Sequence, residues 1–226
     1  MIEPTDREFA QELRTIRVRM SSMAQRASEQ IVLAIEALEK RNDGLAQRVI
    51  EHDRAINQDE NEIDKLAMQI LMARHPVASD LRFVTMALKF VVDIERIGDL
   101  AKGIARRALE LNRLTPLDWD SDLTHLAVLV HKNLQLAIDS FVNGNSDEAR
   151  AVIRADAEID RANANTFAQL VALVATDPAT VTHVLPLTSV SRYLERIGDH
   201  VKNVAEEVIF MVSGAEVRHE AVYASN

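Results

Sequence analysis

The amino-acid sequence predicts an all-α protein that consists of two tandem three-helix bundles related by internal duplication. Apolar residues recur at helical spacing over nearly the whole chain of 226 residues. Glycine (6) and proline (5) are scarce, whereas Ala, Leu, Val, Ile, Glu, Asp and Arg dominate, which favours helices over strands. The five-residue word Glu-Arg-Ile-Gly-Asp occurs twice, at 95–99 and at 195–199, each time late in a long amphipathic segment.

The first half is predicted to contain three helices, at about 7–39, 45–74 and 79–111. The first turn is Asn42-Asp43-Gly44, a sequence typical of a tight connection. Pro76 separates the second helix from the third, and Ser79 or Asp80 is predicted to cap the third helix.

The second half is predicted to repeat this layout after a linker at 112–120, which contains Pro116 and the single Trp119. A fourth helix should end near Val142, a fifth near Thr176, and a sixth should carry the second copy of the word to about Val212. Pro186 should kink the sixth helix or mark its start, and the polar tail after Gly214 should fray. The predicted domains are 1–115 and 116–226.

Internal alignment supports the duplication. Asp53 matches Asp156 at an offset of 103 residues, whereas the two words align at an offset of 100, so the second half is three residues shorter near its second turn. Units of this length exceed the roughly 33 to 47 residues of helical solenoid repeats. Two short turns between long helices instead predict an up-down-up bundle in each half.

Composition excludes several classes of protein. A formal net charge of −9 argues against nucleic-acid binding, which needs a basic face. The absence of cysteine excludes disulfides, thiolate metal sites and cysteine nucleophiles. The polar segment Met1–Asp6 does not resemble a secretion signal, and no apolar run is long enough to cross a bilayer. These features predict a cytoplasmic protein, and the lack of a phosphate loop or nucleophile motif predicts that it is not an enzyme.

Acidic pairs at helical i, i+4 spacing are the chemically informative feature, because such pairs share one helix face. Turn positions place the pairs opposite each other. Asp53 and Asp99 are equidistant from Pro76, as are Asn57 and Glu95. In the second half the corresponding pairs are centred on Asp177-Pro178. The candidate metal ligands are Asp53, Asn57, Glu95 and Asp99 in the first half and Asp156, Asp160, Glu195, Asp199 and Asn203 in the second.

Crowded carboxylates repel one another unless cations or protons intervene. An all-oxygen set suits magnesium, manganese, calcium or iron, and zinc stays among the candidates. Gly98 and Gly198 support a special role, because glycine within a helix costs about 1 kcal/mol and is explained by close approach of a helix or an ion. The alternative interpretation is a solvated acidic face, since such pairs are common on helix surfaces.

The chain resembles the PhoU family of accessory regulators of bacterial phosphate transport. The resemblance rests on the two Glu-Arg-Ile-Gly-Asp words, on the stretch Arg-His-Pro-Val-Ala-Ser-Asp-Leu-Arg at 74–82, and on the tandem layout. It implies a non-enzymatic negative regulator of phosphate uptake and of the phosphate-starvation (Pho) regulon. It also implies multinuclear metal binding through paired Glu/Asp-x-x-x-Asp motifs. Asn57 departs from that pattern, since an amide supplies oxygen without charge.

The same resemblance implies two partners, a sensor histidine kinase and the ATPase of a phosphate ABC transporter, with only peripheral association with membrane complexes. Long amphipathic helices often present a second apolar stripe, which predicts a homodimer. Two alternatives stay open at this stage. One is a ferritin-like carboxylate-bridged di-metal protein, although neither half contains its Glu-x-x-His pair on the metal helices. The other is a purely structural helical scaffold.

Overall fold

The computed structural model describes residues 4–117, 122–215 and 217. Its helices are α1 (Pro4–Glu39), α2 (Asp43–Arg74), α3 (Ala78–Leu111), α4 (Leu123–Asn143), α5 (Ser146–Thr176) and α6 (Val181–Ser213), with a 3₁₀ turn at Pro178–Thr180 before α6. Helices α1, α2 and α3 pack against one another, and α4, α5 and α6 do the same. The prediction of two tandem three-helix bundles is confirmed.

The duplication extends to the helix caps. The side chain of Asn42 accepts a hydrogen bond from the Leu45 amide at the start of α2. Asn145, 103 residues later, accepts bonds from the amides of Asp147 and Glu148 at the start of α5. Asparagine satisfies free N–H groups of the first helical turn in both halves. The second helix of each bundle therefore begins by the same local mechanism.

The expected cap of the third helix is wrong, and of the two alternatives for Pro186 the structure excludes a helix start. Helix α3 begins at Ala78, directly after an extended Val77, so Ser79 and Asp80 lie inside the helix and do not cap it. Helix α6 begins at Val181, and Pro186 lies within it and does not mark its start. Pro186 is the sixth residue of α6, so it lacks the N–H that would otherwise bond the Thr182 carbonyl, and the helix continues past it without that bond. Trp119 and the tail from 218 onward lie outside the described residues.

Helices α3 and α6 form the centre of the molecule and pack along each other. They run antiparallel, since Asp93 of α3 contacts Asn203 of α6 while Gly103 of α3 contacts Tyr193 of α6. Because the two words are offset by 100 residues, Asp93 corresponds to Tyr193 and Gly103 corresponds to Asn203. The two contacts therefore join equivalent positions of the two halves. The bundles are thus related by an internal two-fold axis, and their buried apolar side chains form one continuous core.

Aromatic rings also join the two halves. Phe90 of α3 and Phe141 of α4 are fully buried, with ring centroids 4.8 Å apart. The methionines divide into two groups: Met20, Met23 and Met86 are buried as core residues, whereas Met68 and Met72 lie on the outer face of α2 and are exposed. Their helical spacing in the sequence predicts that all five are core residues, which is wrong for Met68 and Met72. In the described part of the chain, no helix is long and apolar enough to span a bilayer.

Candidate functional site

The first acidic group lies between α2 and α3, with a lysine at its centre. The Lys102 Nζ lies 2.6 Å from Asp53 Oδ2 and 3.0 Å from Asp99 Oδ1. The two helices therefore bring Asp53 and Asp99 to the same height, as the turn position predicted. Asp53 is only 4% exposed. Its charge is stabilised there by a charge-assisted hydrogen bond from a partly buried ammonium.

Glu95 lies one helical turn away in the same group. Burial raises the pKa of the Glu95 carboxyl, the neighbouring Asp99 raises it further, and Arg96 opposes the shift. Burial also raises the pKa of Glu60 on α2, and the carboxylates of Asp64 and Asp99 add to that effect. Glu60 thus belongs to the group, although the sequence did not single it out.

Asn57, the predicted partner of Glu95, contributes a buried amide oxygen. Within the residues that the structure describes, neither Asn57 Oδ1 nor Asp53 Oδ1 has a hydrogen-bond partner. Buried oxygens are normally paired with a donor, a water or an ion. These two atoms are therefore free to accept a further donor or a cation.

The second acidic group lies between α5 and α6 and follows the same plan. The Lys202 Nζ lies 2.9 Å from Asp156 Oδ2. Burial raises the pKa of Asp199, and the carboxylates of Asp156 and Asp160 raise it further, while Lys202 lowers it. Burial likewise raises the pKa of Glu195, with Asp199 and Asp160 adding to the shift. The carboxylates of α5 and α6 therefore lie close enough to influence one another, as the turn position predicted.

Asn203 is the one candidate that the structure places elsewhere. Its amide donates a hydrogen bond to Asp93 Oδ1 on α3, at 3.1 Å. His200 Nδ1 lies 2.7 Å from the same oxygen. Both side chains thus belong to the contact between α3 and α6. Asn203 shares a helix column with Asp199, but packing of the two bundles turns its side chain toward the partner helix.

Lys102 and Lys202 are site residues that were not predicted, although the sequence contains a signal for them. Each lysine follows the last aspartate of its word by three residues, so the two words extend to a repeated Glu-Arg-Ile-Gly-Asp-x-x-Lys. A spacing of three residues places the lysine on the same helix face as the aspartate. The duplication therefore includes the cation as well as the carboxylates.

The two glycines of the words allow the helices to approach closely. A Cβ atom at Gly98 would lie 2.9 Å from Ile56 Cδ1, and one at Gly198 would lie 3.2 Å from Ile159 Cγ2. Both contacts are tighter than side-chain packing normally permits. The expectation that a close helix approach explains these glycines is confirmed, and this approach is what brings the carboxylates of two helices together.

The chemistry of the groups is that of a cation site already filled by an ammonium. The donors are carboxylate and amide oxygens, which suit hard cations. Across residues 4–117, 122–215 and 217, however, no three histidine, aspartate or glutamate side chains converge closely enough to hold a metal ion. The metal assignment of the nine candidate ligands stays a prediction.

Replacing Glu195 by glutamine should stabilise the metal-free protein at neutral pH. The raised pKa means that the folded state favours the protonated carboxyl. The stabilisation that comes from protonated Glu195 is fully present below the pKa of Glu195 in the unfolded chain, and it is lost as pH rises through the pKa of the folded state. At pH 7, with a chelator, we expect a gain below about 1 kcal/mol after solvent screening. The gain should vanish near pH 4. Thermal unfolding at both pH values measures it, with the exposed Glu158→Gln as the matched control.

Comparison with known proteins relates both halves to one family. The PhoU domain matches residues 20–108 and again 123–208. The phosphate-specific transport system accessory protein PhoU homolog of Pseudomonas aeruginosa is 39% identical over 214 residues, which cover 94% of this chain and 88% of that protein. The PhoU protein of Escherichia coli K12 is 34% identical over 217 residues, with coverage of 94% and 88%. The crystal structure of PhoU from Pseudomonas aeruginosa superposes with a TM-score of 0.86 at 38% identity, covering 92% of this chain and all of that one.

The fold and the two acidic groups define a duplicated helical-bundle protein whose halves each carry the same charged motif. Both domain matches lie within those halves, and the likeness extends over almost the whole chain. The chain belongs to the PhoU family.

Proposed function

We propose that the chain is an accessory protein of a phosphate-specific transport system and a negative regulator of phosphate uptake. In this role it couples the ATPase of a phosphate ABC transporter to a sensor histidine kinase and holds that kinase in its repressing state when phosphate is plentiful. The protein acts in the cytoplasm and without catalysis of its own.

The observation that carries the proposal is the extent of the likeness. Relatives named as phosphate-specific transport system accessory proteins align with 94% of the chain, and both repeats of the domain are present. Proteins that share a fold alone can differ in function. Here sequence identity of 34–39% accompanies the fold over both bundles.

We further propose that the acidic groups bind divalent or trivalent metal ions, with Glu95, Asp99 and Asp53 as ligands in the first half. The corresponding ligands in the second half are Glu195, Asp199, Asp156 and Asp160. A bound cation would neutralise crowded carboxylates whose protonation is otherwise favoured. Buried oxygens without partners among the described residues, Asp53 Oδ1 and Asn57 Oδ1, support this in the first half. Metal analysis of the purified protein tests the point, and a protein without stoichiometric metal would contradict it.

Deletion of the gene should switch on phosphate-starvation genes in the organism that encodes the chain, even in phosphate-rich medium. The reason is that the kinase would lose the protein that holds it in its repressing state. A transcriptional reporter of a phosphate-regulated gene, with phosphate uptake measured in parallel, provides the readout.

Complementation makes this test specific. A plasmid copy of the chain should restore repression, whereas the empty vector should not. Unchanged reporter expression and uptake after deletion in rich medium would count decisively against the proposed role.

A further inference from the structure

We propose that Lys102 and Lys202 are built-in counter-ions that compete with a divalent cation for the two acidic groups. The inference rests on the metal-binding part of the proposed function. It assigns to each lysine a role that the carboxylates alone do not reveal. In the metal-free protein each lysine would neutralise its carboxylates and so stabilise the fold. A metal ion would bind only when the ammonium leaves.

Geometry in the first group supports competition for the same oxygens. The Lys102 Nζ contacts Asp53 on α2 and Asp99 on α3, at 2.6 and 3.0 Å, and so joins the two helices as a bridging ion would. A metal bound to both carboxylates needs oxygen distances of about 2.0–2.6 Å. The ammonium and the metal therefore cannot occupy the space between these carboxylates together.

The first group also contains donor capacity that the lysine leaves unused. Asp53 is 4% exposed, and its Oδ1 has no hydrogen-bond partner among the residues that the structure covers; the same holds for Asn57 Oδ1. An ammonium donates only three hydrogen bonds. A metal ion with six or more ligands could use these additional oxygens.

The second group also has a lysine between its helices, but Lys202 bonds one carboxylate, Asp156, where Lys102 bonds two. The Lys202 Nζ lies 2.9 Å from Asp156 Oδ2, and the Lys202 side chain is 39% exposed, compared with 19% for Lys102. Lys202 can therefore move into solvent with less rearrangement. The second group also offers Asp160 where the first has Asn57. Both differences favour metal entry in the second half.

Substitution of each lysine by methionine tests the inference, because methionine keeps an unbranched side chain and removes the charge. After chelation and dialysis, Mn²⁺ is titrated into the parent, Lys102→Met and Lys202→Met, with calorimetry and the electron paramagnetic resonance of free Mn²⁺ as readouts. Each variant should bind Mn²⁺ about tenfold more tightly at the affected group, equivalent to about 1.4 kcal/mol. Each should unfold at lower temperature in chelator and recover with Mn²⁺.

Two exposed lysines provide matched controls, Lys89→Met on α3 and Lys132→Met on α4. Lys89 shares helix α3 with Lys102, and Lys132 lies in the same bundle as Lys202. Each control removes one positive charge and should leave Mn²⁺ affinity unchanged. Lys202→Arg keeps a cation in place and should not tighten binding. A tenfold gain in the controls would overturn the inference, because net charge alone would then explain the effect.

A second measurement needs no substitution. In the parent, Mn²⁺ should release the two ammonium groups, so amine-reactive labelling of Lys102 and Lys202, followed by mass spectrometry, should speed up while that of Lys89 does not. Labelling that is unchanged although Mn²⁺ binds would contradict the inference.

The outcomes separate the two proposals. If the parent binds Mn²⁺ and the lysine variants bind equally or more weakly, the competition fails and metal binding stands. If only the variants bind, competition is supported and a metal in the parent is contradicted. If no protein binds Mn²⁺, both metal binding and competition fail, whereas the regulatory role is tested independently by gene deletion.

Discussion

Substitution of Phe90 by alanine is expected to lower the free energy of unfolding by about 3–5 kcal/mol, the range for deletion of a buried aromatic ring. Phe90 on α3 is fully buried and packs against Phe141 on α4, with ring centroids 4.8 Å apart. Its removal leaves a cavity and also removes an aromatic pair. Because α3 and α4 belong to different bundles, the loss should weaken the contact between the halves.

Equilibrium unfolding in guanidinium chloride measures the effect, with fluorescence and circular dichroism followed together. Phe167→Ala is the control, since Phe167 is 51% exposed on α5 and its loss should cost far less. We expect the two probes of Phe90→Ala to separate if the halves unfold in sequence. Equal stability of the two variants would show that the junction between bundles does not depend on this ring.

Gly198→Val should destabilise the protein by about 1–3 kcal/mol, the usual range for overpacking. A Cβ atom at Gly198 would lie 3.2 Å from Ile159 Cγ2 and 3.7 Å from Asp156 Oδ1. The Ile159 methyl is attached close to its own backbone, so helix α5 must move. Valine is a better helix former than glycine by a few tenths of a kcal/mol, and packing therefore decides the sign.

A double variant tests the cause. Gly198→Val combined with Ile159→Ala should be more stable than the sum of the two single effects predicts, because the alanine makes room for valine. Ala157→Val, at an exposed position of α5, serves as the control for adding a β-branched side chain. Strict additivity in the double variant would mean that the helix approach at Gly198 is not the source of the loss.

The helices and the pairing of the acidic residues could be predicted because both depend on local rules. Helical periodicity determines which residues face the core, and a constant rise per residue places Asp53 level with Asp99 once the turn is located. The role of Gly98 and Gly198 could also be predicted. Glycine destabilises a helix interior, and close contact with another helix explains why it is present there. These inferences needed no knowledge of how the bundles pack together.

The remaining features depend on contacts between distant segments. Asn203 fits the helix column of Asp199, yet its amide bonds to Asp93 because α3 and α6 pack antiparallel. The start of α3 was misplaced because an extended Val77, without side-chain capping, precedes it. Lys102 is different, since its repetition as Lys202 was visible in the sequence and only its role as a bridge between helices required the structure.

The internal two-fold axis is approximate, and the two equivalent contacts of the central helix pair differ chemically. Asp93 meets Asn203 and His200 at one end, whereas Tyr193 packs against Gly103 at the other. A symmetric dimer of a single bundle would have to place the same residue pair at both ends. Joining the bundles in one polypeptide removes that constraint, so one junction is built on hydrogen bonds and its counterpart on an aromatic ring.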